Sequence, residues 1–229
     1  TPQLNGLEIL ELNCGTGEDA ILFSEKGFNI VATDVSEEML KITAQKANQY
    51  SMQNKITSHY LDLDSVDETV FDKKFDLIFS NFGGLNCISP ESMQKLLRKI
   101  PGLLSPQGRF VAVIMPKFCL WESLYFILKF RFFKAFRRWT SSDVMADLQG
   151  VTVKTWYYRP GQIKEWSKND FKCVSTRPIG LALPPSYLEK FLIKRPGLLH
   201  RLDVLEEKLN RFEILSGMAD HYLIDLRLK

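Results

Sequence analysis

The sequence predicts an α/β protein built on a doubly wound, mostly parallel sheet with helices on both faces. Three observations carry this. Short apolar runs alternate with helix-like stretches from Leu7 to Met115, in the order β-α-β-α-β-α-β-α-β. A glycine-bearing turn, Asn13-Cys14-Gly15-Thr16-Gly17, joins the first strand to the first helix. The run Phe75-Asp76-Leu77-Ile78-Phe79-Ser80 is mostly apolar, as a central strand covered on both faces should be.

Residues 7–12 read as the first strand and 17–26 as the helix after it, ended by Gly27. The second strand is 29–33. Ser36 then reads as an N-cap, with Glu37 and Glu38 in the first turn and a helix to about Tyr50. Ile56–Leu61 is the third strand, and 65–72 a short helical or irregular piece. After the fourth strand, Ser89-Pro90-Glu91 opens a helix through about Lys99, with proline at a position that suits it. Ser105-Pro106-Gln107-Gly108 is a turn, and Arg109–Met115 the fifth strand.

Beyond Met115 the pattern changes. Residues 117–138 are aromatic, basic and helix-like; 143–148 and 151–158 suggest a hairpin. Pro160 starts a short helix, Phe171–Leu183 contains a strand, and Pro184–Glu213 is mainly helical with a break at Arg195-Pro196-Gly197. Asp220–Leu228 is the last strand. Neither a repeat nor a low-complexity linker interrupts the chain. The reading is therefore one domain over 1–229, with a lid-like insertion at about 117–165.

Composition limits the function classes. An apolar share of 45% and a charged share of 25% over 229 residues are those of an ordinary globular chain able to bury a core. The net charge of +3, with no long basic block, does not indicate nucleic acid. The cysteines (Cys14, Cys87, Cys119, Cys173) form no C-x-x-C pair, so neither a metal site nor a redox motif is expected, and a reducing cytoplasm fits best. No signal peptide pattern is present, although the sequence starts at Thr1 without a methionine.

The glycine turn is how an α/β domain lets its backbone approach a bound nucleotide. Asp34 ends the second strand, where a carboxylate can accept both ribose hydroxyls of an adenosine. Four segments, in this order and spacing, resemble the class I S-adenosylmethionine-dependent methyltransferases. They are Glu11–Gly17, Ala32–Leu40, Leu61-Asp62-Leu63 and Phe75–Asn86; the turn Leu104–Gly108 matches as well. The close resemblance covers 7–115, with a looser likeness at the C-terminal strands, and the subfamily is similar to the small-molecule type called methyltransferase type 11.

The resemblance implies a Rossmann-like, seven-stranded sheet with its last strand antiparallel, and S-adenosylmethionine as cofactor. It implies that Gly15 and Gly17 let the loop pack under the methionine part, and that Glu11 helps hold the loop and the ammonium end. By the same likeness Asp34 takes the ribose, Val35 and Met39 lie against adenine, and Asp62 accepts from the adenine amino group. The Leu63 backbone N–H reaches a ring nitrogen, and Asn81 and Phe82 stand where the methionine moiety meets the acceptor. The family usually has a helix before the first strand. Only six residues precede Leu7, so that helix lies outside this sequence or the site is more open than usual.

The acceptor is less legible. Asn81, Phe82, Asn86, Tyr157 and Tyr158 are the candidates on that side, with Tyr157 and Tyr158 expected on opposite faces of a strand. None of His59, His200 and His221 stands out as a base, and Cys14 reads as a packing residue. In 117–138, Trp121, Leu124, Tyr125, Leu128, Phe132, Ala135 and Phe136 recur at helical spacing, interleaved with Lys129, Arg131, Lys134, Arg137 and Arg138. Such a segment packs as a lid, or meets a hydrophobic substrate, a second copy or a membrane surface; charges interrupt it too often for it to span a bilayer.

Two other functions fit the same architecture. One is a nicotinamide-dependent oxidoreductase, since Ala20 can replace the third glycine of G-x-G-x-x-G. The other is a non-catalytic module that binds a cofactor or partner. Methylation of nucleic-acid bases is disfavoured, because Ser80-Asn81-Phe82-Gly83 is not the Asn/Asp-Pro-Pro-aromatic pattern.

Overall fold

A computed structural model describes residues 6–66, 71–148, 151–184 and 195–229. In chain order the strands are β1 (Glu8–Leu12), β2 (Asn29–Asp34), β3 (Ile56–Tyr60), β4 (Phe75–Ser80), β5 (Leu104–Ile114), β6 (Val144–Leu148), β7 (Val151–Thr155), β8 (Phe171–Ile179) and β9 (His221–Leu228). The helices are α1 (Glu18–Glu25), α2 (Glu37–Gln49), α3 (Pro90–Leu103), α4 (Leu120–Leu128), α5 (Phe132–Ala135), α6 (Pro160–Ser167) and α7 (Pro196–Leu209).

Seven strands form one sheet in the order β3-β2-β1-β4-β5-β9-β8. β1 to β5 pair in parallel, while β9 is antiparallel to both β5 and β8, so β9 alone runs against the rest. This is the doubly wound, Rossmann-like sheet expected, with the last strand antiparallel. β6 and β7 make a separate antiparallel hairpin, Val144 opposite Thr155.

Alternation along the strands divides the core between the two sheet faces. Leu10, Leu12, Ile78, Phe110, Ile224 and Leu226 are buried together with Met93, Leu96, Leu97 and Ile100 of α3. Ile9, Ile30 and Ala32 are buried with Ala20 and Ile21 of α1 and Ala47 of α2. A two-pronged Arg109–Asp225 ion pair ties β5 to β9 beside their hydrogen-bond ladder. Glu206 of α7 accepts the backbone N–H groups of Gly180, Leu181, Ala182 and Leu183, which fastens that helix to the turn after β8.

Both expected N-caps form: Ser36 Oγ accepts from Met39 N, and Ser89 Oγ from Ser92 N. α3 runs past Lys99 to Leu103 despite Pro101. Its buried stripe of Met93, Leu96, Leu97, Ile100 and Leu103 recurs at helical spacing, and that packing outweighs the hydrogen bond proline removes. The turn at 105–108 is an excursion inside β5: Leu104 pairs with Phe75, the register shifts, and pairing resumes at Arg109 with Leu77.

Two expectations need correction. The helix-like segment 117–138 is not continuous: Phe130 takes a left-handed conformation (φ 55°), which separates α4 from α5. Tyr157 and Tyr158 do not sit on a strand, because β7 stops at Thr155; both are buried in the loop before α6. Part of the expected 65–72 piece, and the start of the helical stretch expected from Pro184, lie outside the described residues.

Candidate cofactor site

The register of the parallel strands brings their carboxyl ends to one level. Leu12 pairs with both Thr33 and Ser80, and Asp34 pairs with Tyr60. The turns after β1, β2, β3 and β4 therefore open on one edge of the sheet, where open α/β sheets bind ligands.

The glycine turn is held from several sides. Cys14 N donates to Thr33 O at 2.8 Å, and Gly17 N to Cys14 O at 2.9 Å. Thr43 Oγ1 of α2 donates to Gly15 O at 3.1 Å. Gly15 (φ 53°) and Gly17 (φ 77°) both adopt left-handed geometry that favours glycine. Nothing lies within 4 Å of where a Gly15 Cβ would stand. Asp34 is buried at the end of β2 and receives two backbone amides: Gly15 N reaches Oδ2 at 2.9 Å, and Ser36 N reaches Oδ1 at 2.9 Å. Each oxygen keeps a further lone pair for another donor.

Glu11 lies one residue before the end of β1, buried, and its Oε2 has no hydrogen-bond partner. Burial above all, then the charges of Asp19 and Asp34, push its carboxyl up to about 8. A cation placed there would reverse that. Asn81 ties the end of β4 to α1: its Nδ2 donates to Asp19 Oδ2 at 2.7 Å, and its Oδ1 accepts from Phe82 N at 2.9 Å. Val35 is 54% exposed beside Asp34, and Met39 is half-buried in the first turn of α2. Asp62 Oδ1 accepts from Asp64 N at 2.9 Å, and the Leu63 side chain is buried. Leu61 N donates to Asp34 O at 3.1 Å, which joins the Asp62 turn to the rest.

On the neighbouring side, Phe82 is 67% exposed, and its ring meets that of His221 edge-on at 5.5 Å. His221 begins β9 and holds Asp220 Oδ2 with Nδ1 at 3.3 Å. Asp220 in turn accepts from Arg138 at 2.7 Å, and Arg138 donates to buried Glu122 of α4 at 2.7 Å. Burial opposes ionisation of Asp220, but its contacts with His221 and Arg138 more than offset this and hold its carboxyl well below the usual range.

Residues 9–108 match the model of a family described as a methyltransferase domain. Over those residues the chain is similar to a methyltransferase domain. It is 35% identical over 101 residues to the provisionally named methyltransferase YqeM of Bacillus subtilis, covering 44% of this chain and 39% of that protein. It is 30% identical over 107 residues to a demethylmenaquinone methyltransferase of Clavibacter sepedonicus, covering 46% and 40%. The chain thus spans about two fifths of the length of the curated relatives it matches. Among solved structures, an S-adenosylmethionine-dependent methyltransferase from Mesorhizobium loti superposes with a TM-score of 0.61 at 19% identity, over 99% of this chain and 93% of that one.

Three acceptor-side candidates have other work. Asn86 is fully buried. Its Oδ1 accepts from Met115 N at 2.8 Å, and its Nδ2 donates to the carbonyls of Met115 and Trp156, clamping the end of β5 to the loop after β7. Tyr158 donates its hydroxyl to Ile88 O, and Tyr157 lies buried under the Arg138 guanidinium, 5.2 Å from its centre. The Cys14 thiol is pushed up to about 12, chiefly by burial and then by Glu11, so it is not a thiolate nucleophile. The pattern of the sequence did not single out the chain Glu122–Arg138–Asp220–His221. Its members are far apart in sequence, and only the adjacent Asp220-His221 pair, at the start of a strand, hints at it.

Proposed function

We propose that this protein transfers the methyl group of S-adenosylmethionine to a small or medium-sized organic acceptor. The observation that carries the reading is Asp34 fixed by two backbone amides beside the open face of Gly15. The unpartnered, buried Oε2 of Glu11 supports it too, since it suits the ammonium end of the cofactor. In this reading Asp34 takes the ribose hydroxyls, Val35 and Met39 flank adenine, and Asp62 with the Leu63 N–H reads the adenine edge. Gly15, Gly17, Glu11 and Asn81 surround the methionine part. The family match over 9–108 weighs against hydride transfer on the same architecture.

The bound cofactor supplies a methyl carbon on a sulfonium, a leaving group that needs no proton. The protein's part is to hold the acceptor lone pair on line with that carbon, and such positioning is worth about 7–11 kcal/mol. Phe82 and His221 border the place where an acceptor would lie. His221, aligned by Asp220 through Nδ1, has Nε2 for the proton that the acceptor loses as its bond to the methyl carbon forms. This chain covers less than half the length of the relatives named for quinone substrates, so they do not transfer an acceptor to it.

Calorimetry with S-adenosylhomocysteine tests the proposal. Binding is expected, with Asp34→Ala weaker by about 10- to 100-fold for the loss of hydrogen bonds to a charged group. A chain that binds NADH but not S-adenosylhomocysteine rejects it.

A further inference from the structure

The turn between α4 and α5 places apolar side chains in water. Leu128 is 77% exposed, Phe130 83% and Phe133 99%, with Phe132 exposed beside them. The tip is firmly mounted. Ser123 Oγ donates to Ala135 O at 2.8 Å, and buried Glu122 binds both Arg137 and Arg138.

Phe130 is the informative residue. Its N–H donates to Ile127 O, and Arg131 N to Phe126 O, which is the pair of bonds that ends a helix on a left-handed residue. Glycine suits that position; a phenylalanine there is strained. Here the strained residue is also almost wholly exposed, so its ring gains little from the fold that holds it.

Charge identifies what the ring meets. Exposed Lys129, Arg131 and Lys134 alternate with the exposed aromatics. Residues 117–142 hold six Lys or Arg against a single acid, Glu122, which is buried and paired. The whole chain has a net charge of only +3, so the rest of it is net acidic. A projecting apolar tip ringed by cations does not enclose a small ligand, which needs a concavity. A two-fold pairing of this face with itself would bring the same cations together. No helix among the described residues is long and apolar enough to cross a membrane, which leaves insertion to the depth of the headgroups.

We propose that the α4–α5 tip docks on the surface of a membrane that carries anionic lipid, with Phe130 and Phe133 entering the interface and Lys129, Arg131 and Lys134 meeting the headgroups. The proposal is independent of the methyl-transfer reading.

Flotation with vesicles of phosphatidylcholine, with and without phosphatidylglycerol, tests it. The protein is expected to float with the phosphatidylglycerol vesicles and to be released by salt. Phe130→Gly relieves the left-handed strain, so this variant keeps the fold; with Phe133→Ser added, binding should fall at least ~10-fold. Replacing Lys129 and Lys134 by Glu should weaken it by ~5-fold or more per charge. Failure to bind phosphatidylglycerol vesicles overturns the proposal. So does undiminished binding by the Phe130→Gly/Phe133→Ser variant, or a dimer that Phe133→Ser converts to monomer. Unchanged S-adenosylhomocysteine affinity in these variants keeps the outcome separate from that of the cofactor site.

Discussion

Gly17 and Thr43 leave no space between them: a Cβ on Gly17 would lie 2.6 Å from Thr43 Cγ2 and 2.7 Å from Thr43 Oγ1. The turn after β1 thus rests directly on α2, and the hydroxyl that donates to Gly15 O comes from the same threonine.

The two glycines should respond differently to alanine. Gly17→Ala combines left-handed strain with a clash, and an overpacked site of this kind costs about 1–3 kcal/mol; thermal unfolding should show it. Gly15→Ala meets no neighbour, so its stability loss should be limited to the ~1–2 kcal/mol of left-handed strain. Its larger effect should be on S-adenosylhomocysteine affinity, since the methyl would point into open space above the turn. Equal affinities for Gly15→Ala and the parent chain would move the ligand away from this turn.

Glu11 predicts a pH dependence. Burial, then Asp19 and Asp34, raise its carboxyl from 4.5 to about 8. Between those values the folded chain holds a proton that the unfolded chain has released, so this contribution to stability is full below about pH 4.5 and is lost as pH rises towards 8. Glu11→Gln should flatten the stability profile in that window and be the more stable protein above pH 8. If a ligand ammonium settles beside Glu11, binding at neutral pH expels the proton. Calorimetry of S-adenosylhomocysteine binding in buffers of differing ionisation enthalpy should then report proton release, absent in Glu11→Gln. Buffer-independent heats for the parent chain would contradict this.

The buried Glu122–Arg138 pair should be costly to break from one side. Glu122→Ala leaves Arg138 in the interior with Asp220 alone, a loss on the order of 3–5 kcal/mol. The double change with Arg138→Met should recover part of it in denaturant titrations. A double variant no more stable than Glu122→Ala would show that the pair is uncoupled.

His221→Asn separates binding from chemistry. With any acceptor found by S-adenosylhomocysteine release, kcat should drop by about 10²–10⁴-fold, the usual share of a general base. Cofactor affinity should not change. A KM effect alone would make His221 a binding residue.

The sheet was legible because each β-α unit of residues 7–115 carries its own signals: the short, near-continuously buried runs of β1 and β2, the Ser36 and Ser89 caps, and the glycine turn. That the turns after β1, β2, β3 and β4 share one sheet edge was legible for the same reason, since strand-end residues keep their neighbours wherever the strands lie parallel. The other side was not. Asn86 and Tyr158 look like polar groups available for an acceptor, and only packing reveals that their hydrogen bonds go to Met115, Trp156 and Ile88. The break at Phe130 contradicts both the helical spacing of its neighbours and the preference for glycine at such a turn, so no local rule anticipates it. His221 gains its setting from Arg138 and Glu122, more than eighty positions earlier, a partnership invisible to periodicity.

The position of β9 bears on how the molecule assembles. Among the described residues, β8 joins the sheet only through β9, which is made after every other strand and enters between β5 and β8 rather than at an edge. Until then β5 is an open margin and β8 an unmoored ribbon, so pairing over long sequence separations comes last and slowest. His221 arrives on that same strand. The half of the cleft that would bind the nucleotide can thus take shape while the chain is still emerging, whereas the half that would meet the acceptor waits for the closing strand.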